Sequence, residues 1–161
     1  MKELDEILFD AIKADAELDR LTGGRIYSTT VEAPMNGEDN TQPPYIVVMD
    51  DPFTNDQTTK DNIWESGWDH VKAGVVVTGR NRTECGLVRR LVRKAIARYI
   101  ATLDEIPTLT GVSNEGIRWN DVTFVYDDML HYQCDMENHL YDEQEENPIE
   151  SRAAGLRDRT A

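Results

Sequence analysis

The segment NRTECGLVRRLVRKAIARYIATL, Asn81 to Leu103, is the one long stretch whose apolar residues recur at helical spacing. Leu87, Val88, Leu91, Val92, Ala95, Ile96, Tyr99, Ile100 and Leu103 fall at i, i+3, i+4 and i+7 intervals and form one broad stripe. A stripe of that width has to be covered, and a sheet is the expected partner. The opposite face carries Arg89, Arg90, Arg93, Lys94 and Arg98; with Arg80 and Arg82 the neighbourhood holds seven of the 17 lysines and arginines. The segment therefore predicts an amphipathic helix with a basic outer face, which is architecture before it is function.

On its N-terminal side, Trp64 to Thr78 has strand character, with bulges expected at Ser66-Gly67 or Gly74, and enters the helix through Thr78-Gly79 with Asn81 or Thr83 as N-cap. On its C-terminal side, Asp104 to Gly116 reads as a loop. Ile117 to Tyr126 and Leu130 to Leu140 read as two strands, with the hairpin turn at Asp127-Asp128. Alternation in the second is regular: Leu130, Tyr132, Cys134 and Met136 share one face, and His131, Gln133, Asp135 and Glu137 the other.

Further out, Lys2 to Ala14 is a first amphipathic helix carrying Leu4, Ile7, Leu8, Ala11 and Ile12 on one side. Asp15 caps a short continuation that ends at Thr22-Gly23-Gly24. Arg25 to Thr30 is a strand, Glu32 to Pro44 a polar loop, Tyr45 to Met49 (YIVVM) a continuous β-branched strand, and Asp51 to Asp61 a second polar loop. One domain is expected over residues 1–141, and the unpatterned residues 142–161 (DEQEENPIESRAAGLRDRTA) as a flexible tail.

At 161 residues the chain can bury roughly 70% of its unfolded surface, so no staple is needed. Cys85 and Cys134 are expected as free, buried thiols in a reducing compartment. The charged N-terminus is no leader, and no run approaches the roughly 18 apolar residues of a membrane span. A soluble protein without membrane contact is expected. A net charge of −14 argues against a general nucleic-acid binder.

Chemistry-bearing residues give little. His131 and Cys134 are an odd number of strand residues apart and point to opposite faces, so with His139 and Asp135 they do not converge on one metal. Asp50-Asp51 and Asp127-Asp128 fit ordinary turn chemistry at strand ends. Ser28, Ser66 and Ser113 lack any triad or elbow context, no phosphate-cradling glycine loop opens a helix, and Trp64, Trp68 and Trp119 suit core or interface anchors. No enzyme, metal or cofactor is expected.

The order of features is itself informative. LFDAIKADAELDRL leads into GGRIY, a proline-ended loop into PYIVV, then VKAGVVVTGRN and the helix CGLVRRLVRKAIARYI. Over Leu8 to Ile100 this resembles the tail-completion, or tail-terminator, family of long-tailed bacteriophages, and YDDMLHYQCDM falls where members place a closing strand. The two long loops and the acidic tail depart from the family pattern. The resemblance implies an α+β fold, a mixed and mainly antiparallel sheet with two main helices packed on one face. It implies a homo-oligomer, a ring of about six copies at the neck of a virion assembled in the host cytoplasm. Such a ring caps the tail tube protein, stops its polymerisation and joins the head-tail connector, with DNA only as passing cargo. Arg89, Arg90, Arg93 and Arg98 are the candidates for meeting carboxylates of a neighbouring subunit. The alternatives are a head-closure or connector subunit, and an acidic DNA mimic, against which the clustered basic residues count.

Overall fold

The computed structural model describes residues 2–28, 42–55, 65–105 and 107–142. Trp64, most of the Glu32 to Pro44 and Asp51 to Asp61 loops and nearly all of the predicted tail lie outside these residues. The fold is α+β. In chain order it contains α1 (Leu4–Lys13), α2 (Ala16–Thr22), β1 (Ile26–Ser28), β2 (Ile46–Asn55), β3 (Trp68–Gly79), α3 (Arg82–Ile100), β4 (Thr108–Asn114), β5 (Arg118–Asn120) and β6 (Val125–Glu137). The sheet order is β1-β2-β3-β6-β4, with β5 also paired to β6; only β1 and β2 run parallel.

The helices begin and end where local chemistry directs. Asp15 caps α2 by accepting from the Leu18 amide at 2.9 Å, and Gly23 ends it at φ 62°. Asn81, not Thr83, caps α3, accepting from the Glu84 amide at 2.8 Å. Val88, Val92 and Ile96 of α3 and Leu4, Leu8 and Ile12 of α1 are fully buried in one cluster with Ile46, Val48, Val75, Val77 and Leu130 of the sheet. Each such aliphatic side chain contributes roughly 1.5–3 kcal/mol through its removal from water. Alternation in β6 follows the expected faces: Leu130, Tyr132, Cys134 and Met136 are buried.

Five expectations are corrected. The strand predicted as Tyr45 to Met49 continues to Asn55, because a register shift between Asp51 and Thr54 takes Pro52 out of the ladder, so its missing N–H breaks no pairing. Gly74 is no bulge: it pairs in register with Met49 and His131, and the end of the Met129 side chain occupies the space a Cβ would need. Ser66-Gly67 precedes β3 instead of interrupting it. Residues expected as a loop between Asp104 and Gly116 include β4, an edge strand paired to β6.

The largest correction concerns the hairpin. Asp127 and Asp128 are not its turn but lie inside β6, which begins at Val125 and ends at Glu137. The chain reverses at Asp121–Phe124 instead. There the Asn120 side-chain oxygen accepts from the amides of Val122 and Thr123 at 3.0 and 3.2 Å, its carbonyl accepts from Phe124 N at 2.8 Å, and Phe124 takes φ 58°. This is the asparagine side chain imitating a backbone turn.

Candidate functional site

The outer face of α3 and the neighbouring edge strand β4 enclose an open groove of about 810 Å³. Its floor is apolar: Leu87 and Ala97 from α3, Leu109 and Val112 from β4, and Tyr132 from β6. Its wall is cationic, formed by Arg89, Arg90, Arg93 and Lys94. The groove exists because β4 sits at the sheet edge, one strand beyond the span that α3 covers, so the helix flank and the strand face each other across a cleft. Val112 remains 42% exposed there.

The basic residues named from the sequence divide into three roles. Arg90 and Arg93 are exposed along the groove. Arg98, also exposed, borders a separate depression with Ala11, Asp15 and Tyr99 at the α1–α2 corner, so the structure does not bring it together with the others. Arg89 is engaged within its own chain: its Nη1 donates to Oδ2 of Asp128 at 2.8 Å.

Asp128 is 1% exposed and fully partnered. Besides Arg89, the Asn114 amide donates to Oδ2 at 2.9 Å and the Gly116 N–H to Oδ1 at 2.8 Å. Burial by itself pushes this carboxyl upward; the Arg89, Asn114 and Gly116 bonds together outweigh it and hold the group below the usual carboxylate range. The cluster ties α3, β6 and the β4–β5 connection to one another, and so fixes the width of the groove. Tyr132 beneath it has its hydroxyl pushed up to about 12 by burial, opposed by the nearby Arg93 charge, and stays neutral.

A second exposed feature stands at the β5–β6 turn. Trp119, Val122 and Phe124 are 51%, 70% and 72% exposed and together make an apolar tip. The tip is held firmly, since Trp119 pairs with Tyr126 across the ladder and their rings meet edge-on with centroids 5.1 Å apart. Its one acidic side chain, Asp121, is exposed. Placing the turn at Asp127-Asp128 hid this feature from the sequence, although Asn120 followed by Asp121 is itself a turn signal.

Nothing in either feature assembles a nucleophile with a base, and among the described residues no group of three or more His, Cys, Asp or Glu is placed to hold a metal. His131 lies on the sheet face opposite Cys134, as the strand period requires, and meets Glu115 at 3.6 Å. Cys85 and Cys134 are free and buried, their thiols pushed up to about 11 by burial. No helix among the described residues is long and apolar enough to cross a membrane.

No protein-family model matches the chain, and no curated protein matches it. Among solved structures, a chain from the virion of a native gene transfer agent (GTA) particle is similar at 16% identity with a TM-score of 0.49, over 84% of this chain and 96% of that one.

Proposed function

We propose that this chain is a non-enzymatic structural subunit of a phage-type particle, a tail-completion protein. Copies of it form a ring, of about six, that caps the tail tube, stops addition of tube protein and presents its other side to the head connector. The observation that carries the proposal is the uneven surface: a chain of net charge −14 sets Arg89, Arg90, Arg93 and Lys94 side by side along one apolar-floored groove. A closed ring requires two different patches on each subunit that meet head to tail, and a cationic groove on an otherwise acidic body supplies an opposed pair. The sequence resemblance over Leu8 to Ile100 selects the tail-completion role among ring-forming structural proteins. Arg90 and Arg93 take the cationic side of the contact, while Arg89 acts on the groove through Asp128.

The test is capping. Purified protein added to polymerising tube protein is expected to arrest growth at a sub-stoichiometric ratio. Unchanged tube lengths in electron micrographs would overturn the tail-completion role, and binding to connector alone would assign the chain to head closure. The double reversal R90E/R93E is expected to abolish rings while leaving the circular-dichroism spectrum and melting temperature unchanged.

A further inference from the structure

We infer that the apolar tip at the β5–β6 turn of one copy seats in the α3–β4 groove of the next. The two features complement each other in both hydrophobicity and charge. The tip offers Val122 and Phe124 with Asp121 beside them; the groove offers Val112 and Ala97 beneath a wall of Arg90, Arg93 and Lys94. Apolar side chains leave water on the floor while the carboxylate meets the cations at the rim, which fixes the direction of approach.

Trp119, Val122 and Phe124 are not among the residues that line the groove of their own chain. They precede Val125 at the start of β6, nearer the groove's Thr83–Gly86 end, where Gly86 faces Ile117, and about 24 Å along the strand from Tyr132 at seven residues of roughly 3.4 Å each. Pairing of Arg118, Trp119 and Asn120 to β6 and the asparagine-closed turn hold it there. A rigid projection and a receptor built from different residues of one subunit make a heterologous contact, which closes into a ring or runs on as a filament. The contact deepens the ring proposed above and rests on that reading for its closure; the pairing of tip with groove is tested separately.

Two variants disable one partner each. V122S/F124N strips the tip of its large apolar groups, with asparagine suited to the left-handed backbone at position 124. A97E places a longer, like-charged side chain on the groove floor opposite Asp121, at an exposed helical position. Masses are read by sedimentation velocity at concentrations where the natural protein associates, with circular dichroism confirming the fold. Each variant alone is expected to run as a single chain of 18.4 kDa. An equimolar mixture is expected to double that mass and go no further, because one intact tip then meets one intact groove and nothing remains to extend the chain.

Variants that assemble as the natural protein does, a mixture that stays monomeric, or a natural protein that never associates at its highest soluble concentration would each overturn the inference. Capping separates the two proposals. If tubes are capped while tip variants still assemble, the pairing fails and the tail-completion role stands. If the mixture dimerises but the natural protein leaves tube growth untouched, the pairing stands and the role fails.

Discussion

Replacing Arg89 by Met keeps the aliphatic stem that lies along the helix flank and removes only the charge that faces Asp128. The carboxylate then stays in a site 1% exposed with two neutral donors, Asn114 and Gly116, as its remaining partners. Breaking one side of a buried ion pair costs about 3–5 kcal/mol, and because Arg89 itself is 32% exposed the lower end, about 3 kcal/mol, is expected here. In an Asp128→Asn background there is no buried charge to strand, so the same substitution should cost about 1 kcal/mol or less. Urea unfolding followed by tryptophan fluorescence, run as a double-mutant cycle at neutral pH, measures both numbers. The pH dependence supplies a second check. In the natural protein the folded carboxyl titrates below its unfolded value of about 3.9, so the stabilisation is fully present above that pH and disappears as pH falls through the folded value. In the Met variant burial is opposed only by the two neutral donors. The stability gap between the two proteins should therefore be widest near neutrality and narrow on acidification. A gap under about 1 kcal/mol at neutral pH, or one that stays constant down to pH 4, would refute the view that Asp128 is a charge clasp.

Other expectations follow from packing and burial. Cys85 and Cys134, at 0% and 1% exposure with thiols pushed up to about 11, should resist a disulfide-exchange reagent at pH 8 in the native protein and react at once in denaturant; fast native labelling would show that the core opens. Gly79 joins β3 to the cap of α3, and a Cβ there would lie 2.8 Å from the Cα of Cys85, which is backbone and has no easy retreat. Gly79→Ala should destabilise by about 1–3 kcal/mol in the same urea assay, and a neutral result would mean that the strand–helix corner is softer than drawn.

The main periodicities are legible in local sequence, whereas features that depend on distant partners are not. The period of 3.6 along Leu87 to Ile100 and the period of two from Leu130 to Met136 are written into neighbouring residues and reappear as buried faces, and of the two cap candidates Asn81 caps α3. Asp127-Asp128 looked like a turn because adjacent acids favour turns. Asp128 is held in the interior by Asn114, Gly116 and above all the charge of Arg89, which lies 39 positions earlier, outside any local window. β4 is hard to detect because Leu109 and Val112 are its only large apolar side chains, and the register shift between Leu109 and Gly111 sets them three positions apart, off the strand period of two. The groove was half visible for the same reason: its arginine wall is a property of α3 alone, whereas its floor needs β4 in place. Trp119, Val122 and Phe124 fall inside the strand expected over Ile117 to Tyr126; the shifted turn puts them at the hairpin tip.

The edge position of β4 has a consequence for how copies of this chain can come together. Among the described residues no strand pairs with its outer side. An open edge invites strands from other molecules and indiscriminate growth. β4 is seven residues long and shifts register between Leu109 and Gly111, so it offers a short and irregular template. Sheet-to-sheet polymerisation is thereby discouraged, and contacts between copies are left to side chains that can be matched one to one.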